Sequence, residues 1–337
     1  MYMDEVVMSV EFSLLELASV RINETPCDSF SHALSYAQAA DSLGFKRFWL
    51  AEHHNMQGIA SSATAVLIGH IAGNTQQIRV GSGGIMLPNH SPLVVAEQFG
   101  TLASLYGDRI DLGLGRAPGT DPVTSRALKR DEHAAENFAQ EVQVIQQLLQ
   151  PSQPQQRLRA VPGEGTEVPI WILGSSLYSA GLAAQLGLPY SFAGHFAPAH
   201  MRAALKRYRS EFRPSARLEK PYFILGLPVV WGETEAKAHH YATTGVQRIL
   251  ALFRGEPMWM RPPIEPSQLN WSASEKYNVE AFLDLAQVGD ELQILDGLQQ
   301  LREELAVDEF MFTIDVYDKD LRIKTLSTLA QIKTHLR

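Results

Sequence analysis

Short apolar runs alternate with longer amphipathic stretches along most of this chain. Residues 8–15, 46–51, 79–87, 110–114, 169–173, 190–193, 222–230 and 308–313 are dense in aliphatic and aromatic side chains and read as strands. Between them the apolar period lengthens to that of a helix. Phe30, Ala33, Leu34, Ala37, Ala40 and Leu43 recur at helical spacing, with Asp28 expected as the N-cap and Gly44 as the stop. The same reasoning predicts helices over 62–74, 92–106, 132–149, 176–186, 198–212, 233–253, 290–305 and 318–335. Eight strands, nearly all separated by helices, require parallel pairing and right-handed crossovers. The predicted fold class is α/β, a single (β/α)8 TIM barrel with insertions, and a doubly wound open sheet is the alternative.

Two stretches break the alternation. Residues 151–168 are rich in Pro, Gln and Gly and read as a surface insertion. Residues 254–278 are too long and too Pro-rich for an ordinary connection, yet carry Met258, Trp259, Met260 and Trp271. Such a segment is either a candidate active-site lid or padding on the barrel's own surface.

Composition narrows the function. The 337 residues are 45% hydrophobic and 20% charged, as a globular chain should be. There are 29 basic and 37 acidic residues, a net charge of −8, which argues against nucleic acid and against an anionic membrane surface. No apolar run approaches the roughly 18 residues of a membrane helix. The first twenty residues carry Asp4, Glu5, Glu11 and Glu16, unlike a secretory signal, and the lone Cys27 can form no internal disulfide. The expectation is a cytoplasmic enzyme.

In a barrel, chemistry gathers at the C-terminal ends of the strands. The second strand ends Glu52-His53-His54-Asn55. Neighbours on an extended segment face opposite ways, so the two histidines should not share one task. One can reach the barrel mouth as an acid, a base or a hydrogen-bond donor, or each can be structural. No second cluster has metal-ligand spacing, so no metal is expected. Gly81, Gly83 and Gly84 in the third strand suit either a barrel bend or backbone lying against a flat ligand. The fourth ends Gly113-Leu114-Gly115-Arg116-Ala117-Pro118-Gly119, whose spacing is not that of a dinucleotide fingerprint. Arg116 there can hold a phosphate or close a rim salt bridge. The fifth runs from Gly174 through Ser175 and Ser176 into Leu177, Tyr178 and Ser179. A helix start with hydroxyls and free N–H groups caps itself or cradles a phosphate. His195, after the sixth strand, can flank the same cavity.

These residues carry a family resemblance. AEHHN at 51–55, VGSGGIMLPNHSPL at 80–93, AEQFGTL at 96–102, GDRIDLGLGRAPG at 107–119 and LGSSLYSAGLAAQLGLP at 173–189 resemble the bacterial luciferase-like flavin monooxygenases, most closely their YhbW-type branch. The resemblance implies a luciferase-like TIM barrel that takes FMN as FMNH2 from a separate flavin reductase and uses O2, through a C4a-peroxyflavin, to oxidise a small organic substrate. It implies that His53 stands beside the flavin with Glu52 as its neighbouring carboxylate, both in catalytic roles. It places Gly83 and Gly84, as a peptide often found cis, against the isoalloxazine ring. It puts Arg116, Ser175, Ser176, Tyr178 and Ser179 at the phosphate. Two positions depart from bacterial luciferase: Gly115 replaces its reactive cysteine and Ser175 its carboxylate, so aldehyde substrate and light emission do not follow. The same barrel family includes flavin or deazaflavin enzymes that move hydride without O2, and a non-catalytic FMN-binding protein is the third alternative. Residues 62–74 are apolar nearly all round, so a homodimer is expected through this helix and the next.

Overall fold

In the computed structural model, which describes residues 10–117, 120–128 and 134–336, the expected alternation closes into a barrel. The strands are β1 (Glu11–Glu16), β2 (Arg47–Leu50), β3 (Arg79–Ser82), β4 (Ile85–Met86), β5 (Ile110–Gly115), β6 (Ile170–Gly174), β7 (Tyr190–Ala193), β8 (Phe223–Trp231), β9 (Gln287–Gly289) and β10 (Glu309–Thr313). The helices are α1 (Pro26–Ser42), α2 (Thr64–Ala72), α3 (Pro92–Tyr106), α4 (Pro122–Ala127), α5 (Phe138–Leu149), α6 (Leu177–Leu186), α7 (Met201–Glu211), α8 (Glu235–Arg254), α9 (Ala273–Phe282), α10 (Glu291–Leu305) and α11 (Lys319–His335). Parallel pairing runs β10–β1–β2–β3–β5–β6–β7–β8, and β8 pairs back to β10. That closure excludes the open sheet. The short β4 pairs with β5, and β9 pairs with the end of β8.

Phe12, Phe48, Val80, Leu112, Ile172, Phe192, Leu225 and Phe310 point outward from successive strands and meet the helices in one continuous core. Leu15, Trp49, Ala51, Trp171, Ile224 and Met311 fill the barrel interior. Arg47 seals the N-terminal end. Its guanidinium donates to Asp111 Oδ2 at 2.8 Å and to Glu309 Oε1 at 2.9 Å, both carboxylates being fully buried. Arg79 shares Asp111, and Ser13 and Tyr222 donate to Glu309. Strand spacing holds no sign of this cluster.

Several expected boundaries move. Thr25, not Asp28, caps α1. Asp28 is the third residue in, and its carboxylate reaches back to the Thr25 N–H in a reciprocal capping box. The third strand breaks at Gly83–Gly84, whose peptide bond is cis, as is Val161–Pro162. The helix expected over 132–149 begins at Phe138, and its first two positions lie outside the described residues, as do Met8, Pro118 and Gly119. The 198–212 helix opens with a 3-10 turn at Pro198–His200. Residues 151–168 pack back on α3, where a Cβ on Gly100 would lie 2.1 Å from Gly163 Cα, so only glycine permits the approach.

Residues 254–278 are more regular than expected. Ser272 and Glu275 form a capping box that starts α9 inside them. Met258 N donates to Gln57 O at 2.9 Å, Met260 N donates to Val20 O at 2.9 Å, and Met260 O accepts from Ile22 N at 2.9 Å. The segment is thus laced between two loops at the C-terminal end of the barrel. Met260 is buried, and Met258 turns into the mouth. No helix of the described residues is long and apolar enough to cross a membrane.

Candidate functional site

The C-terminal ends of the barrel strands open into a cavity of about 810 Å³. His53, Gly83, Gly84, Arg116, Ser175, Ser176, Tyr178, Ser179 and His195 all line it. Glu52 does not.

The two adjacent histidines diverge, as an extended segment requires. His53 turns into the cavity, and its backbone N–H is tied to Ser61 O at 3.0 Å. His54 turns the other way. Its Nε2 donates to Glu52 Oε1 at 2.8 Å, and His90 Nε2 donates to the same oxygen at 2.8 Å. Glu52 Oε2 accepts from the Met86 N–H at 3.1 Å. Burial alone would raise the pKa of Glu52, which is 1% exposed, but the His54 and His90 bonds outweigh it and hold it at about 2. Glu52 is therefore an anion that pins β4, and with it the Gly83–Gly84 wall, to the end of β2. Its place in the site is behind the wall. Glu52, His54 and His90 are close enough to share a cation, but each imidazole N–H already has the carboxylate as its acceptor.

The turn from β6 into α6 is built by glycine and serine. β6 turns into α6 so tightly that a Cβ on Gly174 would lie 2.4 Å from Ser179 Oγ. Ser176 is the N-cap, and its hydroxyl accepts from the Ser179 N–H. Ser179 Oγ donates back to Ser176 O at 2.9 Å and meets Tyr190 OH at 3.2 Å. The hydroxyls of Ser176 and Ser179 thus shape the turn. Ser175 and the first N–H groups of α6 face the cavity, where the helix dipole favours an anion. Arg116, at the end of β5, stacks over Tyr178, its Cζ 4.1 Å from the ring centroid.

The structure adds a pair that spacing could not reveal, Arg248 and Asp315. Arg248, on α8, is 1% exposed and ion-paired through Nη1 to Asp315 Oδ1, beyond β10. Its Nε donates to Met258 O at 3.3 Å. His195 sits in the wall with Nδ1 against Gly226. Desolvation there pushes its pKa down to about 4; His53 adds to the shift and Asp315 opposes it. At neutral pH its imidazole is uncharged.

The family model for luciferase-like monooxygenases matches residues 8–309. The chain belongs to the luciferase-like monooxygenase family. A luciferase-like monooxygenase of Escherichia coli K12 is 46% identical over 329 residues, covering 97% of this chain and 98% of the relative. Among solved structures, apo-MsnO8 superposes with a TM-score of 0.84 at 30% identity, covering 97% of this chain and 99% of the other. The oxygenating constituent of 3,6-diketocamphane monooxygenase from Pseudomonas putida, solved with FMN, superposes at 0.71 with 16% identity, covering 98% of each chain, and speaks to the fold alone. Membership supports an oxidoreductase that acts on a small-molecule substrate with O2.

Proposed function

We propose that the chain is an FMN-dependent monooxygenase. It receives reduced FMN from a separate reductase and inserts one atom of O2 into a small organic substrate. One observation carries this reading: a single cavity joins a charged phosphate cradle, a side-chain-free wall and two histidines. The fit to FMN is physical. A Cβ on Gly84 would strike Gly113 O at 2.7 Å, and one on Gly83 would strike Leu15 Cδ1 at 2.5 Å, so packing keeps both positions glycine and they offer the cavity bare backbone, against which a flat ring could lie.

Bound reduced FMN would supply the electrons that activate O2. The protein's own residues do the rest. Arg116, Ser175 and the α6 N-terminus hold the phosphate, which fixes the ring's position. Gly83, Gly84 and Gly115 support the ring face, with Glu52 pinning the wall from behind. His53, in the cavity lining, holds or moves a proton on its imidazole. Met258 and its neighbours narrow the mouth and exclude water.

The direct test loads the protein with reduced FMN under argon and admits air. Flavin reoxidation distinctly slower than that of free FMN supports the reading. Reoxidation at the free-flavin rate overturns it in favour of hydride transfer or simple flavin binding. Arg116→Ala should weaken FMN binding about ten- to hundredfold, the loss of one charge-assisted contact. Unchanged affinity in a fluorescence titration would remove Arg116 from the cradle.

The working assembly is a homodimer through α2 and α3, in the cytoplasm. Val66 on α2 is 72% exposed, and Val94 and Leu105 on α3 are also uncovered, which a second copy would seal. Light scattering should return the mass of two chains, and one chain's mass would refute the pairing.

A further inference from the structure

β5 stands fourth and β10 eighth in the closed order of eight barrel strands, so the Arg116 side and the Asp315 side face each other across the mouth. With the phosphate cradle on one side, the opposite side of the cavity is left for the molecule to be oxidised. That side is largely apolar, lined by Ile249, Leu252, Phe282, Leu283 and Val288, with His195 and Thr313 as further polar groups. Its polar pole is small. Asp315 lines the cavity with a side chain 36% exposed, while its partner Arg248 is 1% exposed. Arg248 takes Oδ1, and among the described residues Oδ2 accepts no hydrogen bond. The guanidinium is locked from behind by Met258 O. An acceptor oxygen is thus held rigidly at the edge of an apolar space, and its charge is cancelled by a buried cation.

We propose that Asp315, oriented by Arg248, is the substrate-positioning group of this site, and that the substrate is a neutral, largely apolar molecule bearing an O–H or N–H donor. The donor meets Oδ2 and the apolar body fills the α8–α9 side. An anion would face the outward carboxylate oxygen. A cation would add to the Arg248 charge in a pocket with few other acceptors, and an isolated charge there is costly. A ketone or ether of the same size would leave Oδ2 desolvated and unpaired, the situation that discriminates most strongly between near-isosteric ligands.

The inference rests on the flavin-site reading, so the two are measured separately. FMN affinity is titrated first. Heptan-2-ol, heptan-2-one, heptanoate and 2-aminoheptane are then titrated by calorimetry into the protein with and without FMN. The expected result is that heptan-2-ol binds about tenfold or more tightly than the other three, one hydrogen bond to a charged acceptor. Asp315→Asn keeps a carbonyl oxygen for Arg248 and turns an amide N–H₂ to the cavity. It should bring heptan-2-one level with heptan-2-ol, because a ketone and a hydroxyl oxygen can both accept from the amide, with FMN affinity unchanged. Asp315→Ala should abolish the preference. Equal binding of alcohol and ketone to the native protein, tightest binding of heptanoate or 2-aminoheptane, or an alcohol preference that survives both variants would each overturn the proposal. Loss of FMN binding in the native protein would instead strike the reading beneath it, and the probe titrations without FMN would still decide the role of Asp315.

Discussion

Replacing His53 by alanine is expected to slow substrate oxygenation by about 10²–10⁴-fold, the usual contribution of a positioned proton donor or acceptor. FMN affinity should change far less, because the backbone of this turn is held by the His53 N–H to Ser61 O bond, which the substitution leaves in place. The oxygen that is still consumed should appear as hydrogen peroxide, since a site without its proton handler wastes reducing equivalents instead of transferring oxygen. Coupled assays of product and peroxide at matched FMN saturation would measure both quantities. His195 gives the contrast: it is neutral at working pH and lies on the other side of the mouth, so His195→Asn should not reproduce the uncoupling. Native turnover in the His53 variant would end the assignment.

The second large effect is structural. Arg47→Ala should cost about 3–5 kcal/mol of stability, because it leaves Asp111 and Glu309 buried without their shared cation. Arg79 still reaches Asp111, but among the described residues Glu309 keeps only the hydroxyls of Ser13 and Tyr222. Urea denaturation should show the midpoint fall with the slope unchanged. The folded fraction should bind FMN normally, since Arg47, Arg79 and Glu309 begin their strands and the cavity lies at the strand ends. The pH dependence has a definite sign. Burial would raise Asp111, but Arg47 and Arg79 outweigh it and hold it below the ordinary carboxylate range. Its contribution is therefore complete at neutral pH and is lost as the pH falls through the unfolded and then the folded pKa. An unchanged urea midpoint would show that the cluster contributes nothing net.

Most of the fold was legible because each barrel strand is buried on both sides and reads as an apolar run. The capping residues at Ser176, Asp290 and Asp318 marked helix starts to the residue. What stayed hidden was written in weaker or longer-range signals. The Ser272–Glu275 capping box was present in the chain, but the prolines before it masked α9. Along the site, strand-end positions were legible because the barrel prescribes where function gathers. Partners were not. His90 reaches Glu52 across 38 residues and Arg248 reaches Asp315 across 67, and neither separation follows from any local period. A lone arginine on a long helix and a lone aspartate after a strand look like solvated surface until the barrel closes.

The lacing of residues 258–260 into the loops around Gly58 and Val20 separates two kinds of evolutionary freedom. A Cβ on Gly58 would sit 2.3 Å from the Met258 backbone, so that position cannot drift without disturbing three loops at once. The Met258 side chain, by contrast, projects into the cavity while its backbone does the fastening. Ligand range can therefore be re-tailored by exchanging that one side chain at little cost to the scaffold, which makes the mouth of the barrel the most adaptable part of a rigid frame.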